Sequence, residues 1–134
     1  MILQADLDKT LIRLRISQAI ESVEEVELLI KNQMYRAASN RIYYGMFYAL
    51  LALAVKYKFK TSKHRQLIGW FNRTFIKNDL INIKFGKIIT TAFELRKEGD
   101  YIAFTQFDAE EVYQNLNDMK DFIREIESYI SSNE

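Results

Sequence analysis

Ala37-Ala38-Ser39-Asn40-Arg41-Ile42-Tyr43-Tyr44-Gly45-Met46-Phe47-Tyr48-Ala49-Leu50-Leu51-Ala52-Leu53-Ala54 is apolar on nearly every side of a helix drawn through it. A helix that is hydrophobic all round belongs in the middle of a protein, with other helices packed on it. Ala38, Gly45, Ala49 and Ala52 are small enough to let those neighbours come close. Glycine inside a helix costs roughly 1 kcal/mol relative to alanine, so Gly45 predicts a close helix crossing. The tyrosine hydroxyls need partners wherever they are buried. Arg41 then reads either as part of a hydrogen-bonded core network with Tyr43 and Tyr44 or as a cation lining a groove.

The flanking sequence supplies the neighbours. Ile12, Ile16, Ala19, Val23, Val26 and Ile30 alternate steps of four and three, one apolar stripe on a helix of about seven turns. Val112, Leu116, Met119, Ile123, Ile126 and Ile130 repeat that spacing. There is no proline, and the four glycines stand singly, so little interrupts a helix. Thr61 or Ser62 is placed to cap a helix, Asn78-Asp79 reads as a turn, and Gly99 to Phe107 reads as a connector. Asp108 and Glu111 form a candidate capping box, stapled by Phe107 and Val112. The predicted helices are 7–31, 34–59, 63–77, 81–98 and 108–131, with the break near Asn32 the weakest signal. The fold class is all-α, an up-and-down antiparallel bundle of about five helices in one domain over 1–134.

Composition excludes several classes. The chain has no cysteine, hence no disulfide framework and no thiolate metal site, which suits the cytoplasm. The longest apolar run, Met46 to Val55, is too short to span a bilayer, so no membrane role is expected. No glycine-rich phosphate loop and no metal-ligand spacing are present, so neither metal nor cofactor is expected. The net charge of +1 hides an asymmetry. No acidic residue lies between Glu27 and Asp79, a stretch holding ten lysines and arginines, while residues 98 to 134 carry ten acids. Such a basic block suits a polyanionic partner, or complementarity with the acidic last helix.

Three clusters carry the polar chemistry. They are Asn40-Arg41-x-Tyr43-Tyr44, Lys60-Thr61-Ser62-Lys63-His64-Arg65, and Arg96-x-x-x-Asp100-Tyr101. His64 is the single histidine. At a helix start, flanked by Lys63 and Arg65, it sits where free backbone N–H groups favour an anion.

Taken in order, Ala38 to Ala49, Lys60-Thr61-Ser62-Lys63-His64 with Leu67 to Phe71, and Ala92 to Tyr101 resemble the HEPN domain family, and in particular a small prokaryotic subgroup with Arg-x-x-x-Asp-Tyr. The resemblance covers about residues 7 to 130. It implies a helical bundle, a homodimer whose two sites face each other, and RNA or nucleotide binding. It also implies pairing with a small nucleotidyltransferase in toxin–antitoxin or defence modules. Many family members are metal-independent RNases, in which an arginine holds the scissile phosphate and a histidine four to six residues on helps activate the 2′-hydroxyl. Arg96 matches the arginine, but the histidine position holds Tyr101. Tyrosine, with a pKa of about 10, is a poor base at neutral pH, though it can bond a phosphate oxygen. The candidate site is therefore Arg96 and Tyr101 as the reacting pair, with Arg41, Tyr44, Lys63, His64, Arg65 and Asp100 as phosphate-binding residues. The expected function is RNA or nucleotide binding. The alternatives are an active RNase and a non-catalytic helical dimerisation adaptor.

Overall fold

The computed structural model describes residues 3–101 and 108–133, with side chains described for 3–96 and 108–133. Five α-helices follow one another: α1 (Gln4–Lys31), α2 (Tyr35–Lys56), α3 (His64–Phe71), α4 (Ile83–Tyr101) and α5 (Ala109–Ser132). A π-helical turn, Asn72–Ile76, extends α3. The five-helix bundle expected from the periodicity is the fold.

The near-continuous apolar surface of α2 makes it the hub, packed against α1, α3, α4 and α5. Ala38, Tyr43, Ala49, Leu50, Ala52 and Leu53 are all fully buried. Gly45 marks the crossing of three helices. A Cβ there would stand 3.0 Å from Ser22 Cβ on α1 and would collide with Met119 Cε on α5. Asp8, at the start of α1, pairs with Lys58, just past the end of α2, at 3.0 Å, so these two helices are antiparallel. Glu27, near the end of α1, pairs with Lys120 in the middle of α5 at 3.7 Å. The apolar stripe of α5 is buried along its length, with Phe122 added to it.

Three helix ends share one kind of stop, and of these only the end of α2 departs from expectation. After α1, α2 and the π-helical turn the chain enters the left-handed region at Gln33, Lys58 and Asp79, with φ of 59°, 57° and 56°. Each time, two backbone N–H groups fold back onto the last carbonyls, as in Met34 N to Leu29 O (2.8 Å) and Phe59 N to Ala54 O (2.9 Å). These are Schellman stops, usually built on glycine. Here they carry Gln, Lys and Asp, so α2 ends at Lys56 rather than 59 without a sequence signal. Gly86 packs α4 against the π-helical turn, where a Cβ would stand 2.7 Å from Asn72 Oδ1. At the other end α4 runs on to Tyr101, so Gly99 lies within it rather than opening a connector. Asp108 caps α5 as expected, but it accepts from the Glu110 N–H at 3.0 Å. The staple with Phe107 lies outside the described residues. Among the described residues, no helix is long and apolar enough to cross a membrane.

Candidate functional site

Tyr43, Tyr44 and Phe47 occupy adjoining faces of α2, and the first residue of α3 and the last turns of α4 close over them. Tyr43 is 0% exposed. Its hydroxyl lies 2.6 Å from His64 Nδ1. The imidazole stacks on Phe47, with ring centroids 3.9 Å apart and planes 7° from parallel. Tyr44 meets the same imidazole edge-on at 6.0 Å. From α4, Arg96 Nη2 donates to the Tyr44 hydroxyl at 2.9 Å. Its guanidinium carbon stands 5.4 Å from the Tyr43 ring centroid and 5.2 Å from that of Tyr44. Phe93 packs on Tyr43 at 5.7 Å and carries the Arg65 guanidinium over its ring at 5.5 Å. One aromatic box thus holds one imidazole and two guanidinium groups.

The protonation states follow from this packing. Burial pushes the Tyr43 hydroxyl far above its ordinary range, so it keeps its proton. His64 Nδ1 is its hydrogen-bond partner, and the direction of that bond depends on the tautomer of the ring. With the phenol as donor, the ring proton sits on Nε2. Burial first, and the Arg96 charge second, lower the pKa of His64, so the ring is neutral at pH 7. In that tautomer the box presents donors: Nε2–H of His64 and the Arg96 N–H groups not used by Tyr44. Among the described residues no carboxylate pairs with Arg96.

The predicted residues divide. Tyr44, His64 and Arg96 come together, and Arg65 joins them through Phe93. Arg41 does not, because its Nε pairs with Glu25 on α1 at 3.4 Å. It belongs neither to a core network with Tyr43 and Tyr44 nor to this box. Lys63 is the exposed residue just before α3 and makes no side-chain cap. Thr61 and Ser62 do not cap the helix either. The Thr61 hydroxyl accepts from the Lys63 N–H at 3.1 Å, one residue too early to reach a helical N–H. Asp100 and Tyr101 are in α4, and their side chains lie outside the described residues. Sequence reasoning put His64 and Arg96 in one candidate site without any signal that they stand side by side, and it missed Phe47 and Phe93 as walls of the box. Tyr43 was the available signal, since a buried phenol on the central helix must find a partner.

A second concavity of about 160 Å³ opens on the other side of α4, bordered by Ser39, Met46, Lys87, Leu95, Asn115 and Asp118. None of the predicted site residues lines it. Among the described residues, no three His, Cys, Asp or Glu gather closely enough to hold a metal ion.

Comparison with known proteins gives this geometry a context. The family model described as HEPN domain matches residues 12–129. A "UPF0332 protein" of Thermotoga maritima is 37% identical over 115 residues, covering 86% of this chain and 82% of that one. Two Methanocaldococcus jannaschii proteins that both bear the name "Putative toxin" are also similar. One is 30% identical over 117 residues, covering 87% of this chain and 80% of its own. The other is 34% identical over 94 residues, covering 67% and 70%.

Proposed function

The chain belongs to the HEPN domain family, and from that premise we propose that it is a toxin-like member that binds a phosphate of RNA or of a nucleotide in the box around Arg96. In this reading it acts in the cytoplasm as a homodimer, with a small nucleotidyltransferase as its partner in a toxin–antitoxin or defence module. The toxin-like role draws on the names of the two archaeal relatives. One observation carries the phosphate reading. A guanidinium held in place by Tyr44 has no carboxylate partner among the described residues, and it stands beside an imidazole that offers Nε2–H when the Tyr43 phenol donates to Nδ1. Charge-assisted hydrogen bonds to an anion are among the strongest a protein makes.

The test is fluorescence anisotropy of a short labelled single-stranded RNA, titrated at several salt concentrations. Loss of a charged hydrogen bond is worth about 1.5–3 kcal/mol, so Arg96→Ala weakens binding by roughly 10- to 100-fold. Lys84→Ala, at an outlying exposed lysine, changes it far less. Binding that ignores salt, or that responds equally to both substitutions, refutes the reading.

The convergence of His64 with Arg96 favours one further reading, RNA cleavage with His64 taking the place of the motif histidine. Against it stands the tautomer in which the Tyr43 hydroxyl donates to Nδ1, since that keeps the proton on Nε2 and makes the ring a donor rather than a base. Incubation with single-stranded RNA decides the matter. Intact RNA ends the cleavage reading. Cleavage that disappears in His64→Ala while binding persists establishes it.

A further inference from the structure

Of the side chains that build the Arg96 box, His64 is the one whose charge changes near neutral pH. The ring meets Tyr43 and Tyr44 from α2 and feels the charge of Arg96 from α4. Lys63 and Arg65 flank it in sequence, and Tyr43 keeps its proton. Among the described residues no carboxylate pairs with the imidazole or with Arg96. The charges around the ring are therefore those of cations.

The uncharged part of the box nevertheless suits a protonated ring. The Tyr43 hydroxyl, 2.6 Å from Nδ1, donates to that nitrogen when it is bare and accepts from it when it carries a proton. Phe47 lies flat on the imidazole at 3.9 Å, and an aromatic face attracts a cation. What the box lacks is a negative charge, so a proton enters most readily together with an anion.

The charge of that anion decides whether it does. An internal phosphodiester carries one negative charge, which Arg96 balances alone. A terminal phosphate monoester carries nearly two at pH 7, because its second pKa is about 6. Arg65 is exposed, with its guanidinium over the Phe93 ring, where solvent screens it. The second negative charge is left for His64 to answer.

We propose that the Arg96 box selects a terminal phosphate monoester over an internal phosphodiester, with His64 taking up one proton from solvent as the dianion binds. The inference rests on the phosphate reading above and names the form of the phosphate. In the bound state Nε2–H and the free Arg96 N–H groups donate to phosphate oxygens, while Nδ1–H donates to the Tyr43 oxygen. A negative charge about 5 Å from the ring strengthens its hold on the proton by roughly tenfold or more. His64 is then the residue that sets specificity, and Arg96 the one that anchors.

The probes are a short single-stranded RNA with a 5′-phosphate, the same RNA with a 5′-hydroxyl, and adenosine 5′-monophosphate. Anisotropy and competition at pH 7 give the affinities, and NMR of the ring protons gives the His64 pKa in the free and saturated protein. The phosphorylated RNA is expected to bind roughly tenfold more tightly than the hydroxyl form. Saturation with it raises the His64 pKa above its ordinary value of about 6.5, and the hydroxyl form leaves it below. His64→Gln removes the preference, weakening the phosphorylated RNA more than the hydroxyl form, and circular dichroism checks that the helices persist. Adenosine 5′-monophosphate that matches the phosphorylated RNA supports a free nucleotide as the source of the monoester, and much weaker binding supports an RNA end. Equal binding of the two RNAs, or a His64 pKa that does not move with the phosphorylated one, overturns the inference and leaves the phosphate reading standing. If none of the probes binds, the phosphate reading itself falls.

Discussion

His64 shows how one side chain can be specified by residues far from it in sequence. Its ring is clamped by Phe47, anchored by Tyr43 and biased by the charge of Arg96. Both causes act in the same direction, so the imidazole titrates below its ordinary value of about 6.5. Two consequences are measurable by following the ring protons in NMR. The native pKa lies below 6.5, and Arg96→Gln raises it without returning it fully, because the larger cause, burial, remains. The linkage to stability has a definite sign. Below pH 6.5 the unfolded chain takes up a proton at this site before the folded chain does, so stability falls as the pH drops from 6.5 through the folded pKa, and above 6.5 this contribution is constant. A pKa at or above 6.5 would mean that the ring is neither buried nor close to Arg96. Little of this was legible in the sequence. Tyr44, His64 and Arg96 stood out as polar residues in unusual places, but they are separated by tens of residues, and only the packing of α3 and α4 on α2 brings them together. Arg41 looked as good a candidate as Arg96. It differs because Glu25 lies across from it on α1, a pairing that spacing alone does not show.

At the scale of the element, amphipathic patterns were easy to read and the ends of helices only in part. The stripes of α1 and α5 repeat with the helical period and are buried as that period requires. The all-round apolar character of α2 placed it at the centre. The end of α2 escaped because its stop, like those after α1 and the π-helical turn, does not use glycine. Gln33, Lys58 and Asp79 each hold a left-handed conformation that a Cβ opposes by roughly 1–2 kcal/mol. Gln33 gives the cleanest test, since Lys58 also pairs with Asp8. Gln33→Gly removes the steric cost and adds some unfolded-state entropy, so a net stabilisation of about 0.5–1 kcal/mol is expected. For a chain of 134 residues that raises the thermal midpoint by roughly 2–5 °C. A midpoint that stays put or falls would show that the α1–α2 turn does not depend on its backbone conformation in this way. The same reasoning explains why Asn32-Gln33 looked like a mild interruption. What ends α1 there is a pair of backbone hydrogen bonds, Gln33 N to Ile30 O and Met34 N to Leu29 O, joined by the Asn32 side-chain amide donating to Leu28 O at 2.9 Å.

Across the whole molecule, the charge asymmetry resolves differently from a simple pairing of basic and acidic helices. Arg41 pairs with Glu25 and Lys58 with Asp8, so these cations of the basic stretch reach acids of α1. The acidic α5 instead meets α1 through its own Lys120. Lys60 and Lys63, on the exposed approach to α3, have no ion-pair partner among the described residues. They flank the residue that opens the box, and unpaired cations beside an anion site raise the local concentration of a polyanion before any specific contact forms. Steering and anchoring are separable. For single strands each neutralised phosphate contributes about 0.7 to the slope of log affinity against log salt. Lys60→Gln/Lys63→Gln is therefore expected to flatten that slope by up to about 1.4, and to slow association more than it speeds dissociation. Arg96→Ala acts mainly on dissociation, because it removes a held guanidinium from the contact itself. Stopped-flow measurement with the same labelled RNA separates the two effects. If the lysine substitutions leave the association rate and the salt slope unchanged, the basic block plays no part in capture, and binding depends on the box alone.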